Sequence, residues 1–361
     1  MFLEGMISMR GKWILEYLKN WPGYLKYQLR IAKRPYFITF NLTDTCNSRC
    51  IMCNFWKNKK KHDEITPEEI RTLLQQDAMK DLSVIALTGG EIFMRQDIPE
   101  IIDVIYDTTG VKPHFGTNGL FPSKLDRLIT THGHKISGVM ISVDGLGEIH
   151  DRIRGKGTFD ITMKSVRMLK EKYNMIPTIN MTLSKQNYKT LIQTHDYFKD
   201  YIFTYKIAKK SKLHFGDNTE MDFELNGQEI QEVMEDAKKI SNKNMYDVFL
   251  DDWALHGKRP SPCYAGITQA VVNQDGTIQP CIHKPAFGNI RTESVNNLWN
   301  SEQANTFRKT HKDCQDCYER CTVETFGIDL PKWVIKQKIK EYQERKSKPK
   351  EEINQGSHPY V

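Results

Sequence analysis

The sequence predicts an α/β fold: a partial (β/α)6 TIM-like barrel followed by a small C-terminal domain organised by cysteines. Three observations carry that prediction. Short apolar runs and amphipathic stretches alternate six times between residues 36 and 207, the pattern of a parallel sheet with right-handed crossovers. Six units fall short of the eight that close a full barrel. Past residue 257 the alternation stops, and five of the chain's 8 cysteines follow.

In chain order, residues 1–35 are expected to form an N-terminal amphipathic helical segment. Trp13, Ile14, Tyr17, Leu18, Trp21, Tyr24, Leu25, Tyr27, Leu29 and Ile31 suit two helices with a kink at Pro22-Gly23. Aromatic residues mixed with basic ones suit packing on the barrel end or, as the alternative, peripheral contact with a membrane interface. The barrel is expected over 36–257, with strands at 36–42, 83–87, 113–116, 139–143, 178–183 and 201–207. Helices are expected from Thr66-Pro67-Glu68-Glu69 onward and at 98–106, 123–131, 159–172 and 187–198. The first has an N-cap threonine, proline at its first position and acidic residues in its first turn. Residues 209–225 break the pattern and fall over the barrel mouth, where long functional loops lie. His214 and Asp217 there are candidate substrate contacts. A helix over 227–242 leads to a Gly/Pro-rich boundary at 257–262, then a second domain over 258–330 and a basic helix and tail over 331–361.

Apolar residues make up 39% of the 361 and charged residues 27%, with a formal charge of +7. That is an ordinary globular balance, with enough chain for two or three cores. The basic residues concentrate at 57–61 and 332–350, and no nucleic-acid-binding module is recognisable, so no nucleic-acid partner is expected. An anionic substrate or a membrane surface remains compatible with the charge. No apolar stretch is long enough to span a bilayer and no signal-peptide core opens the chain, which makes the cytoplasm the expected compartment. Thiols stay reduced there, so clustered cysteines point to metal rather than to disulfides.

The first strand empties into Cys46, Cys50 and Cys53, spaced C-x3-C-x2-C. A structural zinc wants four protein ligands, and an electron-transfer cubane wants one cysteine per iron. Three thiolates leave one metal corner open, which suits a cluster that binds a ligand directly; a zinc knuckle or a redox trio are the plainer alternatives. Ligands in parallel α/β folds bind at the strands' C-terminal ends. There the sequence has Thr88-Gly89-Gly90-Glu91, Thr117-Asn118-Gly119, then Ser142-Val143-Asp144 followed by His150-Asp151-Arg152-Ile153-Arg154-Gly155, and finally Asn180 and Thr182.

The three-cysteine spacing resembles the signature of the radical S-adenosylmethionine (radical SAM) enzymes, which have a six-unit partial barrel. The resemblance implies that Cys46, Cys50 and Cys53 hold a 4Fe–4S cluster whose open iron is chelated by SAM. By the same resemblance Gly89, Gly90 and Glu91 bind the SAM amino group and Asn118 lies near SAM. Ser142 and Asp144 would hold its ribose and carboxylate, and Arg154 would stand in the following loop. Family members often have an aromatic residue before the last cysteine, packed on the adenine; here it is Met52. Thr182 and Asn180 are further candidates for the cofactor.

The second cysteine group is Cys263, Cys281, Cys314, Cys317 and Cys321, with two short strands around an Asn/Asp-Gly turn ahead of Cys281. Residue types alone leave zinc and iron–sulfur open. The Gly-x4-Cys hairpin, Gly288-Asn289-Ile290 and the C-x2-C pair resemble the auxiliary-cluster domain called SPASM, or twitch when shortened. The full SPASM domain has more cysteines, for two extra clusters; five imply a single second 4Fe–4S cluster with one thiol over. Cys263, Cys281 and two of Cys314, Cys317 and Cys321 are read as ligands, Cys314 and Cys317 being taken as the pair. Cys321 is the extra thiol, either inert or a hydrogen-atom donor to a substrate radical.

The implied activity is reductive cleavage of SAM to a 5′-deoxyadenosyl radical that takes hydrogen from an unactivated C–H bond, with an electron donor such as flavodoxin or ferredoxin. Net oxidation and epimerisation both remain open. Peptide-modifying members often carry a leader-binding domain ahead of the barrel, and 35 residues are too few for one. The expected substrate is therefore a sugar, alcohol or lipid-linked small molecule, with a ribosomal peptide as the alternative and a non-catalytic zinc scaffold as the alternative from another class.

Overall fold

The computed structural model describes residues 34–57, 63–211, 217–240 and 262–315. The helical pair expected ahead of residue 34, the basic tail, His214, Cys317 and Cys321 lie outside the described residues.

The strand and helix order follows the apolar pattern. It runs β1 (Phe37–Asn41), α1 (Pro67–Leu74), β2 (Val84–Thr88), α2 (Ile98–Thr109), β3 (His114–Thr117), α3 (Pro122–His132) and β4 (Gly138–Ser142). After these come α4 (Glu148–Arg154), α5 (Thr158–Tyr173), β5 (Thr178–Leu183), α6 (Leu191–Tyr197), β6 (Ile202–Ile207) and α7 (Gly227–Ala237). Neighbouring strands from β1 to β6 are all parallel. Helix α1 starts where the sequence says, because Thr66 and Glu69 form a reciprocal capping box that satisfies two otherwise orphaned backbone donors. Asn226 and Glu229 do the same for α7. Helix α4 was not expected from the sequence. It spans only seven residues between Gly147 and Gly155, too short to show a period, and forms because it buries His150 and Ile153.

Alternate strand residues point outward into one core: Ile38, Phe40, Ile85, Leu87, Phe115, Val139, Ile141 and Ile179 pack against the inner faces of α1, α2, α3 and α5. The pleat leaves the intervening residues on the barrel's inner side. Asn41, Thr88, Ser142 and Thr182 therefore end up on that side, near the strands' C-terminal ends.

The C-terminal region begins with strands that join the barrel's own sheet. Its strands are β7 (Gln269–Val272), β8 (Thr277–Gln279) and β9 (Gly288–Asn289), followed by α8 (Val295–Asn300) and α9 (Glu302–Thr310). Strand β7 pairs parallel with β1, from Phe37↔Gln269 to Phe40↔Val272, and β8 and β9 continue antiparallel. One nine-stranded sheet results, ordered β6-β5-β4-β3-β2-β1-β7-β8-β9. Its core is shared too: Ala270, Val272, Ile278, Phe287, Leu298 and Trp299 belong to the same apolar cluster as the barrel. Gly276, at φ 82°, supplies the left-handed turn between β7 and β8.

Candidate active site

Strand β1 delivers the chain into the cysteine loop, which four neighbouring segments hold. Gly90 N–H donates to Thr43 C=O at 2.7 Å and Glu91 N–H to Thr45 C=O at 2.9 Å. From α4, the Ile153 carbonyl accepts from Ile51 N–H at 3.0 Å and the Arg154 carbonyl from Ser48 Oγ at 2.9 Å. Asn118 Nδ2 reaches Asn47 Oδ1 at 2.8 Å. Beyond β6, Asn218 Nδ2 donates to Met52 C=O at 2.8 Å, and Asn54 Nδ2 to Asp217 C=O at 2.8 Å. Asp217 and Asn218 thus tie the described part of the segment after β6 to the cysteine loop. Asp217 is engaged there in its own turn, its side chain accepting from Thr219. Arg95, missed in the sequence, is buried with Nη1 on Leu42 C=O at 2.9 Å and both Nε and Nη2 on Asp97; it fixes the exit from β1.

The glycine pair owes its identity to this loop. A Cβ on Gly90 would lie 2.3 Å from Thr45 O, and one on Gly89 would lie 2.4 Å from Thr43 O. Both positions are glycine because the chain's own backbone lies this close. Glu91 follows, 1% exposed. Its carboxylate accepts from Phe93 N–H at 3.2 Å, Thr117 Oγ1 at 2.8 Å and Asn118 N–H at 2.7 Å, and burial raises its pKa. Among the described residues it makes no ion pair. A buried carboxylate with an unused lone-pair direction and no direct ion pair among the described residues fits a bound ammonium, such as the amino group of SAM.

Asp144 has a different situation from the one expected. It is 0% exposed; Oδ1 accepts from Thr182 N–H at 2.7 Å and Oδ2 from Arg154 Nε at 2.6 Å. Asn187 Nδ2 donates to its carbonyl at 2.9 Å, and its own N–H donates to His150 Nδ1 at 3.3 Å. A carboxylate so enclosed orients Arg154; the resemblance implied that it and Ser142 together hold the ribose and carboxylate of SAM. Arg154 in turn is no surface ion pair: burial works against its charge, but Asp144 and the nearby thiols outweigh that and raise its pKa. Burial pushes His150 down to about 4. Ser142 is half-buried at the end of β4, opposite Asn180 on β5. Thr182 enters the network by its backbone and Met52 packs with Cys50, Ile153, Ala208 and Phe223.

The three thiols suit a multi-iron cluster. Burial pushes Cys46 up to about 11 and Cys53 up to about 12, so metal binding there displaces protons. Among the described residues no three His, Cys, Asp or Glu side chains converge tightly enough to hold a single metal ion. In the second group Cys263, Cys281 and Cys314 gather in one apolar cluster with Ala265 and Phe307. Two hydrogen bonds fasten them: Cys263 N–H donates to Lys312 C=O at 2.8 Å, and Gln279 Nε2 to Cys281 C=O at 2.9 Å. Asn273 Nδ2 reaches Gln279 Oε1 at 2.9 Å, and Asn41 Nδ2 reaches Asn273 Oδ1 at 2.8 Å. This amide chain joins the end of β1 to the second cysteine group; isolated Asn and Gln residues gave no sign of it in the sequence.

Comparisons with known proteins agree with this geometry. The profile of the radical SAM superfamily matches residues 40–198, and that of the SPASM iron–sulfur cluster-binding domain matches residues 263–321. The Fe-coproporphyrin III synthase of Methanosarcina barkeri is 26% identical over 232 residues, 62% of this chain and 57% of the relative. The antilisterial bacteriocin subtilosin biosynthesis protein AlbA of Bacillus subtilis is 28% identical over 283 residues, 74% of this chain and 60% of the relative. The AdoMet-dependent heme synthase of Methanosarcina barkeri is 25% identical over 321 residues, 82% of this chain and 90% of the relative. The chain therefore spans less than two thirds of the first two relatives and most of the third. Streptococcus suis SuiB, in a structure with S-adenosylmethionine bound, shares the fold with a TM-score of 0.62 at 15% identity, over 81% of this chain and 73% of that one. The chain belongs to the radical SAM superfamily, with a SPASM domain after its barrel, and its cofactors are S-adenosylmethionine and 4Fe–4S clusters.

Proposed function

We propose that this radical SAM enzyme matures a ribosomal peptide, taking hydrogen from an unactivated C–H bond with net oxidation. The likeness to AlbA carries the reading. It extends over 283 residues, too many to lie within the barrel match at 40–198 alone, so more than the shared barrel chemistry is alike. The expectation of a small molecule rested on the length of chain ahead of the barrel. That length is a poor guide, because a leader-binding unit can be a separate chain.

When bound, the cluster and SAM supply the hydrogen-atom abstraction. The protein's own residues supply the surroundings. Cys46, Cys50 and Cys53 hold the cluster, Glu91 receives the SAM ammonium, and the loop carrying Asn218 excludes water from the mouth. Cys263, Cys281, Cys314 and Cys317 hold an auxiliary cluster able to accept the electron that oxidation releases. A second reading, haem synthesis, is favoured by the match to 90% of the heme synthase.

The deciding experiment is anaerobic turnover of the reconstituted enzyme with SAM, comparing synthetic peptides encoded by short reading frames beside the gene with Fe-coproporphyrin III. Peptide-dependent 5′-deoxyadenosine together with a mass change in that peptide is the expected result. Stimulation by Fe-coproporphyrin III alone replaces it with the second reading. Running the productive reaction in deuterated water with Cys321→Ala separates oxidation from epimerisation: deuterium incorporation that disappears in the variant would make Cys321 the hydrogen donor.

A further inference from the structure

The hydrogen bonds to the three cluster thiols are not alike. Cys46 Sγ accepts from the Ser48 backbone N–H at 3.4 Å, and Cys53 is approached by the backbone of Phe55. Any residue supplies a backbone donor, so those contacts come with the loop itself. Cys50 is contacted by side chains. Ser48 Oγ lies 3.2 Å from Cys50 Sγ, and Arg154 Nη1 lies 3.9 Å from it. Once the sulfur is metal-bound it carries no proton, so the hydroxyl becomes the donor of the first pair, sharing its hydrogen with the Arg154 carbonyl at 2.9 Å.

The cation beside Cys50 is held with unusual firmness for a long side chain. Its Nε is bound by Asp144 at 2.6 Å, and Asp144 is in turn fixed by Thr182 N–H, by Asn187 and by His150, all from elements behind the loop. Removing a charge of either sign from this enclosure would leave the other unpaired, which is costly in a buried setting. Such an arrangement gives up little flexibility to keep one guanidinium nitrogen aimed at one sulfur.

We propose that Ser48 and Arg154 set the reduction potential of the SAM-binding cluster through Cys50 Sγ, with Asp144 as the positioning residue that aims Arg154. One-electron reduction leaves an added negative charge on the cluster side of that sulfur. Donors pointed at a cluster sulfur stabilise the more negative state and raise the potential. A full positive charge at low dielectric does so more than a neutral hydroxyl. The inference rests on family membership and not on the substrate reading: a peptide, a porphyrin or any other substrate leaves it unchanged.

The test is an EPR-monitored redox titration of the reconstituted, SAM-free enzyme with dithionite as the electron source. The relevant signal is the one missing from the Cys46→Ala/Cys50→Ala/Cys53→Ala variant. Ser48→Ala, Arg154→Gln and Asp144→Asn, each checked for full iron content, should shift its midpoint negative. A tenfold or greater loss in the reduction equilibrium constant, about 59 mV for one electron, is expected for Arg154→Gln. Asp144→Asn should match it in direction although it touches no sulfur, and Ser48→Thr, which keeps the hydroxyl, should restore the wild-type value. Unchanged SAM-free midpoints in Ser48→Ala and Arg154→Gln overturn the proposal. A shift that appears only after SAM is added also overturns it, since Arg154 would then act on the cofactor alone. If Arg154→Gln or Asp144→Asn fails to load iron, the Ser48→Ala and Ser48→Thr pair still decides.

Discussion

His150 sits with its ring wholly enclosed, Nδ1 accepting from Asp144 N–H and the ring edge-on to Phe159 at 5.7 Å. Burial, aided by the Arg154 charge, lowers its pKa from 6.5 to about 4. The unfolded chain takes up a proton near pH 6.5 that the folded chain refuses until about pH 4. Stability is therefore intact above 6.5 and falls as the pH drops towards 4, by about 3 kcal/mol from this residue alone at the lower limit. Urea unfolding at pH 7 and pH 5 checks it: the wild type should lose more stability than His150→Gln over that interval, and equal losses would mean the imidazole charges without penalty. The role of His150 was not legible in the sequence. Its type and position were visible within the His-Asp-x-x-Arg-Gly run, but the packing of a short helix decided what the ring touches.

At the scale of elements, the loop between β1 and α1 is held by contacts from β2, β3, α4 and the segment after β6, and the tightest of these tolerates no side chain. A Cβ on Gly90 would lie 2.3 Å from Thr45 O and 2.7 Å from Thr45 C, both backbone atoms. A flexible side chain might yield at that distance, whereas a hydrogen-bonded main chain must move as a whole. Gly90→Ala should then displace Thr45 and with it Cys46. The expected outcome is loss of about half the iron, since one of two cubanes no longer forms. Iron analysis with EPR checks it, the auxiliary signal surviving. Retention of both clusters would mean that the loop shifts without losing its ligand geometry. The sequence marks this Gly-Gly-Glu by its place at a strand end, and only the folded chain shows that the glycines press on the backbone of Thr43 and Thr45, because closeness to a ligand and closeness to a backbone look the same in one dimension.

For the molecule as a whole, the decisive contact is β1 with β7. It makes the SPASM hairpin a continuation of the barrel sheet, and Ala270, Val272, Ile278, Phe287, Leu298 and Trp299 complete the barrel's own core. Burying each large apolar side chain is worth roughly 1.5–3 kcal/mol, and a domain's entire stability is roughly 5–15 kcal/mol. Losing several of these at once, along with a strand's pairing, exceeds what the barrel can spare. A chain ending at residue 261 should accordingly show no cooperative unfolding transition by circular dichroism and should aggregate through the bare edge of β1. A sharp urea transition in that truncated chain would mean that barrel and hairpin fold independently after all. Among the described residues no helix is long and apolar enough to cross a membrane.

Local pattern was sufficient for a good part of this protein. The alternation of apolar runs determined six parallel strands and most of their helices, since a strand's period and a helix's period are properties of a few neighbouring residues. Cysteine spacing determined the cluster motif, because a loop of eight residues from Cys46 to Cys53 brings its own ligands together. Position at strand ends picked out Glu91 and Asp144, and the family resemblance added Arg154 in the segment that follows. What each of these does was decided only in the tertiary structure. Asp144 faces Arg154, Arg154 lies beside Cys50, the glycines press on Thr43 and Thr45, β7 pairs with β1, and Asn41 meets Asn273 across 232 residues. Such pairings depend on which elements the sheet order brings side by side, and a sequence read residue by residue carries no record of that order.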